Sequence, residues 1–403
     1  MLIPNLSMGG AQRVMFDHSV KFARNFDVHE ACFNLSDGHF FHSGNPVVDL
    51  AVGPARGVVD KVAAFAKRIF RVQRLKRRLA IDLTISHLEG AHYVNLLSGV
   101  GDRKILVIHG SLLHDTELGR IKGFIIRRVL IPLLHNRADR IVTVSSDLVS
   151  ELVSLGVRRD KIVTINNFFD LAAIRERSRH SLTVGEQAIF AGPPVLVTSG
   201  RLALQKNQAP LIVVFAELLK RRRARLLLIG DGALRQTLVD QAIGLGLRVY
   251  DPSSGAPPDC NRDVYFLGFQ ENPFRLQRHA QVFVLPSGWE GFPMVLGEAM
   301  ACGLPIVSAD CPTGPREFLA PDTIGQARRP LRKAEDAEFG MLMPIPAEQD
   351  PASIACWVDT LNQLLGDEAG LRRMADRSLA RAEDFTRDKV ANQWLAMIDE
   401  LLG

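Results

Sequence analysis

From Val195 onward, short uninterrupted apolar runs alternate with Gly-bearing turns and amphipathic helical stretches: Val195-Leu-Val-Thr-Ser199, a helix through Pro210–Arg222, then Leu226-Leu-Leu-Ile229. Val264-Tyr-Phe-Leu267, Val282-Phe-Val-Leu285 and Pro305-Ile-Val-Ser308 continue the series. Strands apolar on both faces belong to parallel sheets covered by helices on both sides, so this half predicts a doubly wound α/β domain. The first half repeats the theme less cleanly, with strands expected at Leu83–Ser86, Ile105–Ile108, Ile141–Val144 and Ile162–Ile165. It reads as a second domain of the same class. The apolar periodicity lapses near residues 170–192 and is interrupted by Gly192-Pro193-Pro194, which places the linker there. The expected domains are 1–180 and 190–385, with the functional site in the cleft between them. Residues 321–340, charged and Pro-bearing, read as a surface loop.

Composition narrows the class. A chain of 403 residues exceeds what one core supports, and 47% hydrophobic with 23% charged residues is ordinary for a folded, water-soluble protein. Five cysteines, odd in number and without a CxxC pair, suggest neither a disulfide framework nor a zinc site and fit a reducing cytoplasm. No run of eighteen apolar residues and no signal-peptide pattern is present, so the chain is expected neither to span a membrane nor to be exported. Only Met1-Leu-Ile-Pro4 precedes a Gly-rich turn, so the chain as given is expected to lack a few residues at its start. The net charge of +5 is unevenly spread: residues 1–180 carry 26 Lys and Arg against 17 Asp and Glu, leaving the remainder acidic. The halves face different partners.

The segment richest in chemistry is Pro286-Ser-Gly-Trp-Glu-Gly-Phe-Pro-Met-Val-Leu-Gly-Glu298, which follows a buried strand and opens a helix. With the helix beginning near Pro293, Glu298 lies in its second turn and Glu290 in the loop ahead of it, near the unpaired backbone N–H groups. One ligand can touch both. A carboxylate accepts two ribose hydroxyls, and the N–H groups suit an anion or a sugar. Spacing alone would fit a solvated helix face; the surrounding residues decide otherwise. Ser199-Gly-Arg201-Leu-Ala-Leu-Gln-Lys206-Asn207 sets two cations between a strand end and a helix start, as a diphosphate requires. Gly9-Gly10 permits close backbone approach to a ligand ahead of a helix, with an ordinary turn as the alternative, and His109-Gly110 follows an expected strand, with a turn or a core histidine as the alternative for His109.

Glu290 and Glu298 with their surroundings resemble the E-x7-E signature of glycosyltransferase family 4. Val264-Tyr-Phe-Leu-Gly-Phe269, Val284-Leu-Pro-Ser287, Glu298-Ala-Met-Ala-Cys-Gly303 and Ser308-Ala-Asp-Cys-Pro-Thr-Gly-Pro-Arg-Glu317 fall in the family's order, so the resemblance extends across most of the chain. It implies the GT-B fold, two facing doubly wound, Rossmann-like domains with an interdomain cleft. The C-terminal domain would hold the donor, and the N-terminal domain the acceptor. The last helix, 386–403, would return to the N-terminal domain. It further implies a retaining hexosyltransferase that takes a nucleotide diphosphate sugar and needs no metal or cofactor. By the same resemblance Arg201 and Lys206 bind the diphosphate, Glu298 binds the ribose, and Glu290 with Gly291 and Phe292 lies at the donor sugar. Gly230 and Phe269 line the nucleoside pocket, Gly9 and Gly10 close over donor and acceptor, and His109 stands near the sugar. The Cys311–Glu317 run is similar to that of bacterial polysaccharide and lipid-linked oligosaccharide transferases, favouring a UDP-hexose or UDP-N-acetylhexosamine, with GDP-mannose open. The acceptor would be lipid-linked, or a polysaccharide or lipopolysaccharide. The alternatives are a GT-B UDP-N-acetylglucosamine epimerase and a catalytically silent nucleotide-sugar-binding protein.

Competing chemistries lack their motifs: there is no phosphate loop, Gly230-Asp-Gly-Ala-Leu-Arg235 fails the dinucleotide pattern at its last position, and no Asp-x-Asp metal clamp occurs. Lys61–Leu79 and Arg120–Leu130 interleave apolar and cationic residues at helical spacing. They suit peripheral contact with an anionic membrane at its inner face, or with lipid-linked pyrophosphates, against the alternative of helices packed on their own domain. No nucleic-acid recognition module is present.

Overall fold

The computed structural model describes residues 1–7, 9–35, 41–113, 120–252, 255, 258–324 and 330–403. The chain divides into two compact units, Met1–Asn167 with Asp388–Gly403, and Phe168–Arg387.

Unit 1 is built on strands β1 (Leu2–Ile3), β2 (Glu30–Cys32), β3 (Val47–Asp49), β4 (Leu83–His87), β5 (Arg103–Ile108), β6 (Arg140–Thr143) and β7 (Ile162–Thr164). They form one sheet in the order β3-β2-β1-β4-β5-β6-β7, with every pairing parallel. Ile105, Leu106 and Val107 are wholly buried, as the two covered faces of a parallel sheet require. The strand order reverses between β1 and β4, and open α/β sheets bind ligands beyond the strand ends at such a reversal. The loop after β1 leads into helix α1 (Gly10–Phe22), and His87 closes β4 ahead of helix α3 (Glu89–Leu97).

Helix α2 (Val58–Arg78) turns one apolar face to its own domain and leaves Val58, Val59, Val62 and Phe70 exposed. Its apolar residues Phe65, Ile69, Val72 and Leu75 pack on the core formed by Leu2, Ala31, Phe33 and Val94. Lys76 is buried too: its ammonium donates to Asp102 Oδ2 at 2.8 Å and Asn95 Oδ1 at 2.8 Å, and Thr84 Oγ1 donates to the same Asp102 oxygen at 2.8 Å. Burial, partly offset by Asp102, brings the Lys76 pKa down to about 8. The final helix, Arg387–Leu402, packs on unit 1 through Val390, Ala391, Trp394, Met397 and Ile398, with Trp394 4.7 Å from the His18 ring.

Unit 2 carries β8 (Val195–Ser199), β9 (Arg225–Ile229), β10 (Val249–Tyr250), β11 (Val264–Phe266), β12 (Val282–Leu285), β13 (Ile306–Ala309), β14 (Glu335–Ala337) and β15 (Gly340–Met343). The sheet order is β10-β11-β9-β8-β12-β13-β15-β14, parallel except for the β14–β15 hairpin. Phe215, Leu226, Leu228, Phe266 and Trp357 centre its core, and the Trp357 indole donates to Pro344 O at 2.8 Å. Here the order reverses between β8 and β12.

Two expectations change. The 170–192 stretch is not a linker but two helices of unit 2, Leu171–Ser178 and Val184–Phe190. The polar residues that broke the periodicity are their caps: Asp170 accepts from Ala173 N, and Thr183 with Glu186 forms a reciprocal capping box. The loop expected at 321–340 ends in β14, whose Glu335 serves a buried ion pair described below; residues 325–329 lie outside the described ones. The five cysteines are all free.

Candidate active site

In unit 2 the loops after β8 and β12 meet at the sheet's reversal. After Ser199 the chain turns at Gly200, passes Arg201 and a 3-10 turn at Leu204–Lys206, and enters helix Gln208–Leu219 through Asn207, which adopts a left-handed φ of 53°. Asn207 Nδ2 donates to Pro286 O at 3.1 Å and Pro346 O at 2.9 Å. Gln205 Nε2 donates to Trp289 O at 2.9 Å, and Gly288 N donates to Gln205 O at 2.9 Å. The result of this stitching is the contact between Lys206 Nζ and Glu290 Oε1 at 2.7 Å. Ser287 Oγ donates to the same oxygen at 2.6 Å, and Thr313 Oγ1 donates to the Glu290 carbonyl. Glu290 is 5% exposed and Lys206 17%, so this charge-assisted pair is largely shielded from water and held in one geometry. Arg201 is exposed, and its side chain makes no hydrogen bond or ion pair among the described residues. A clamped ammonium and an uncommitted guanidinium thus share one loop at the end of β8.

Glu298 lies half-buried in the second turn of helix Met294–Ala301, whose start follows Glu290's loop. Burial, with Glu298 adding negative charge, pushes the neighbouring Cys302 thiol up to about 12. Gly291 is buried, and the Phe292 ring packs among Phe318 at 4.4 Å, Phe385 at 5.5 Å and Phe169 at 6.3 Å. The Phe292 side chain is therefore core, and only its backbone is placed for a ligand. Gly230, with a φ of 136°, brings the loop after β9 against the loop after β8: an added Cβ would sit 2.0 Å from Gly200 O. Gly230 N also donates to Gly268 O at 2.9 Å, beside the half-exposed Phe269. Packing alone demands glycine at 230.

In unit 1, His109 follows β5 and its Nε2 meets His87 Nδ1 at 2.9 Å, the rings stacked at 5.1 Å. Burial lowers the pKa of His109 to about 3, with His18 adding to the effect, and burial also lowers His18 to about 3. His87 is pushed well below its ordinary value, first by burial and then by His109. The pair is neutral, one ring donating and the other accepting. Gly9 is in extended backbone and Gly10 has open space where a side chain would be, while Asn5 Oδ1 fastens the loop by accepting from Ser7 Oγ and Gln12 Nε2, each at 2.8 Å.

Sequence reasoning missed Ser287, Gln205, Thr313 and His87. His87 had a signal: it closes β4, which lies beside β5 in parallel register with His87 opposite Val107, so two successive strand ends each carry a histidine. Gln205 and Thr313 act through contacts to residues far along the chain, and Ser287 acts on Glu290 three residues on, inside a segment read only for its glutamates. Arg316, within the run first read for donor preference, has a structural task. It pairs with Asp310 at 3.0 and 2.7 Å and with Glu335 at 2.8 and 2.9 Å, binding β14 to the loop after β13.

Two family models match: Glycosyltransferase Family 4 over residues 8–173 and Glycosyl transferases group 1 over residues 193–336. The chain is a family 4 glycosyltransferase. This glycosyltransferase is 26% identical over 359 residues to an uncharacterized glycosyltransferase of Methanocaldococcus jannaschii, covering 83% of each chain. It is 23% identical over 398 residues to the N-acetylgalactosamine-N,N'-diacetylbacillosaminyl-diphospho-undecaprenol 4-alpha-N-acetylgalactosaminyltransferase of Campylobacter jejuni, covering 98% of this chain and 97% of that one. Among solved structures it resembles Anabaena HepE in complex with UDP and glucose, with a TM-score of 0.71, 18% identity and 99% of each chain covered. The fold of the glycosyltransferase is GT-B, each unit a doubly wound domain.

Proposed function

We propose that this glycosyltransferase moves a hexosyl or N-acetylhexosaminyl group from a UDP-sugar to a lipid-linked or polysaccharide acceptor, with retention of configuration and without a metal at the diphosphate. The observation that carries the reading is the Lys206–Glu290 pair held beside Arg201 where unit 2's sheet reverses. Lys206 and Arg201 offset the charge that grows on the diphosphate as its bond to the anomeric carbon breaks, the role a divalent ion fills elsewhere. The acceptor oxygen bonds to that carbon on the face the diphosphate leaves, and its proton passes to a diphosphate oxygen. Glu290 and His109 orient the sugar, the Gly291 and Phe292 backbone lies against it, and Glu298 accepts from the ribose. Gly230 and Phe269 border the nucleoside, and Gly9 and Gly10 give the N-terminal loop close approach. The UDP in the HepE complex and the polyprenyl diphosphate acceptor in the Campylobacter relative's name support the choice of substrates.

Among the described residues no helix is long and apolar enough to cross a membrane. The helical run through Arg120–Ile125, Ile126–Leu130 and Ile131–Leu134 leaves Phe124, Ile125, Val129 and Leu133 exposed together with Arg128; the side chains of residues 120–122 lie outside the described ones. Peripheral binding to an anionic inner membrane face through this run, and through the side of α2 that exposes Val62 and Phe70, is part of the proposal.

The deciding experiment is a thermal-shift panel of UDP, GDP and ADP, with and without magnesium, on wild type and Glu298→Ala. Stabilisation by UDP alone, lost in the variant, is expected. A shift that requires magnesium, or a variant that responds as wild type does, overturns the metal-free donor site. Flotation with anionic vesicles tests the membrane contact, and absence of binding at low salt ends it.

A further inference from the structure

Glu89 and His92 stand three residues apart on α3, a spacing that sets both on one helix face, and His135 comes toward them from the 3-10 turn His135–Arg137. His92 Nδ1 lies 3.4 Å and His135 Nε2 3.6 Å from Glu89 Oε1, and one ligand atom from each of the three residues falls within 4.8 Å of the others. Both histidines are buried, at 1% and 0% exposure. His92 Nε2 donates to Ser86 O at 3.2 Å, which leaves Nδ1 with a lone pair directed at the carboxylate. Neither that Nδ1 nor either ring nitrogen of His135 makes a hydrogen bond of ordinary length among the described residues, and both histidines and the buried Tyr93 hydroxyl face Glu89. A nitrogen lone pair facing a carboxylate in a buried site repels unless a proton or a metal cation lies between them, and at 3.4 and 3.6 Å these contacts are long for an N–H donating to a carboxylate.

We infer that Glu89, His92 and His135 form a binding site for a divalent transition-metal ion, zinc foremost, within unit 1. Two imidazoles and a carboxylate are a zinc donor set, and bonds of about 2.0–2.1 Å at tetrahedral angles put ligand atoms roughly 3.3–3.4 Å apart, close to the two histidine–Glu89 separations of 3.4 and 3.6 Å. The His92 bond to Ser86 O is the outer-shell contact that fixes the tautomer of a metal-bound histidine. Three protein ligands leave a fourth position for water or the Tyr93 hydroxyl. The ion ties α3 to the segment that leads into β6. Its ligands belong to unit 1 and the diphosphate residues to unit 2, so metal-free transfer chemistry and a bound metal are separate matters.

The test uses the full chain, stripped with chelator and reloaded with zinc chloride or cobalt chloride alone. Wild type should retain about one ion per chain after desalting, show the visible absorption of tetrahedral cobalt, and gain roughly 5–10 °C in melting midpoint at about 100 times the zinc dissociation constant. Glu89→Gln and His135→Gln should lose the absorption and bind zinc at least about 10-fold more weakly. A circular dichroism spectrum matching that of stripped wild type shows that each variant is folded. If wild type retains no ion from excess zinc, or if folded variants bind as wild type does, the proposal fails. Glutamine rather than alanine at both positions keeps volume and polarity, so a folded comparison is available.

Discussion

Lys206 and Glu290 are 84 residues apart in sequence and 2.7 Å apart in the fold. Both residues were named from their motifs, but their union was not legible, because the bonds that bring the two loops together, from Gln205 to Trp289 O and from Asn207 to Pro286 O, span about eighty residues and leave no mark on either motif alone. Lys206→Ala should lower kcat by about 10²–10³-fold, or roughly 2.7–4 kcal/mol of transition-state stabilisation, measured with saturating donor. Two glycines separate packing from approach. Gly230→Ala meets a φ of 136° and the Gly200 carbonyl, and should cost at least about 2 kcal/mol in denaturant unfolding. Gly10→Ala has open space, and should change stability by less than about 0.5 kcal/mol, so a fall in its turnover would report ligand approach.

Among the elements, α2 teaches most. Its sequence reads as a basic amphipathic helix, and amphipathicity alone does not say whether the apolar face meets lipid or its own domain. Packing turns Phe65, Ile69, Val72 and Leu75 to the domain and buries one of the cations, Lys76, on Asp102, while Val62 and Phe70 stay exposed. Asp102→Ala would leave that ammonium buried without its counter-charge and should destabilise unit 1 by about 3–5 kcal/mol, read from thermal or denaturant unfolding. Overturning this requires a loss near zero. The parallel strands of unit 2 were legible because uninterrupted apolar runs need two covered faces. The two-residue β10 was not, since a strand that short has no periodicity.

For the whole molecule, the histidines of unit 1 predict a pH response. His18 and His109 titrate near 3 in the folded chain and near 6.5 when unfolded, so below pH 6.5 the unfolded chain binds more protons. Their contribution is complete above about pH 6.5 and is lost as pH falls toward 3. At pH 5 the loss is about 2 kcal/mol per histidine. Acid titration followed by unfolding should show it, and His18→Gln should flatten the slope; an unchanged slope counts against the assignment.

The repeating apolar runs and the Gly turns establish the class of domain without coordinates, because such patterns are local and their periods are set by backbone geometry, and the motifs around Glu290 and Glu298 carry the likeness to the family. Tertiary structure alone decided which units those runs build, that Asp170, Thr183 and Glu186 cap helices rather than mark a linker, and that Phe292 is core. It also brought His87 to His109 and gathered Glu89, His92 and His135. Each of these depends on which strands and helices become neighbours, and a linear pattern does not contain the distance between residues that only the finished sheet order brings together.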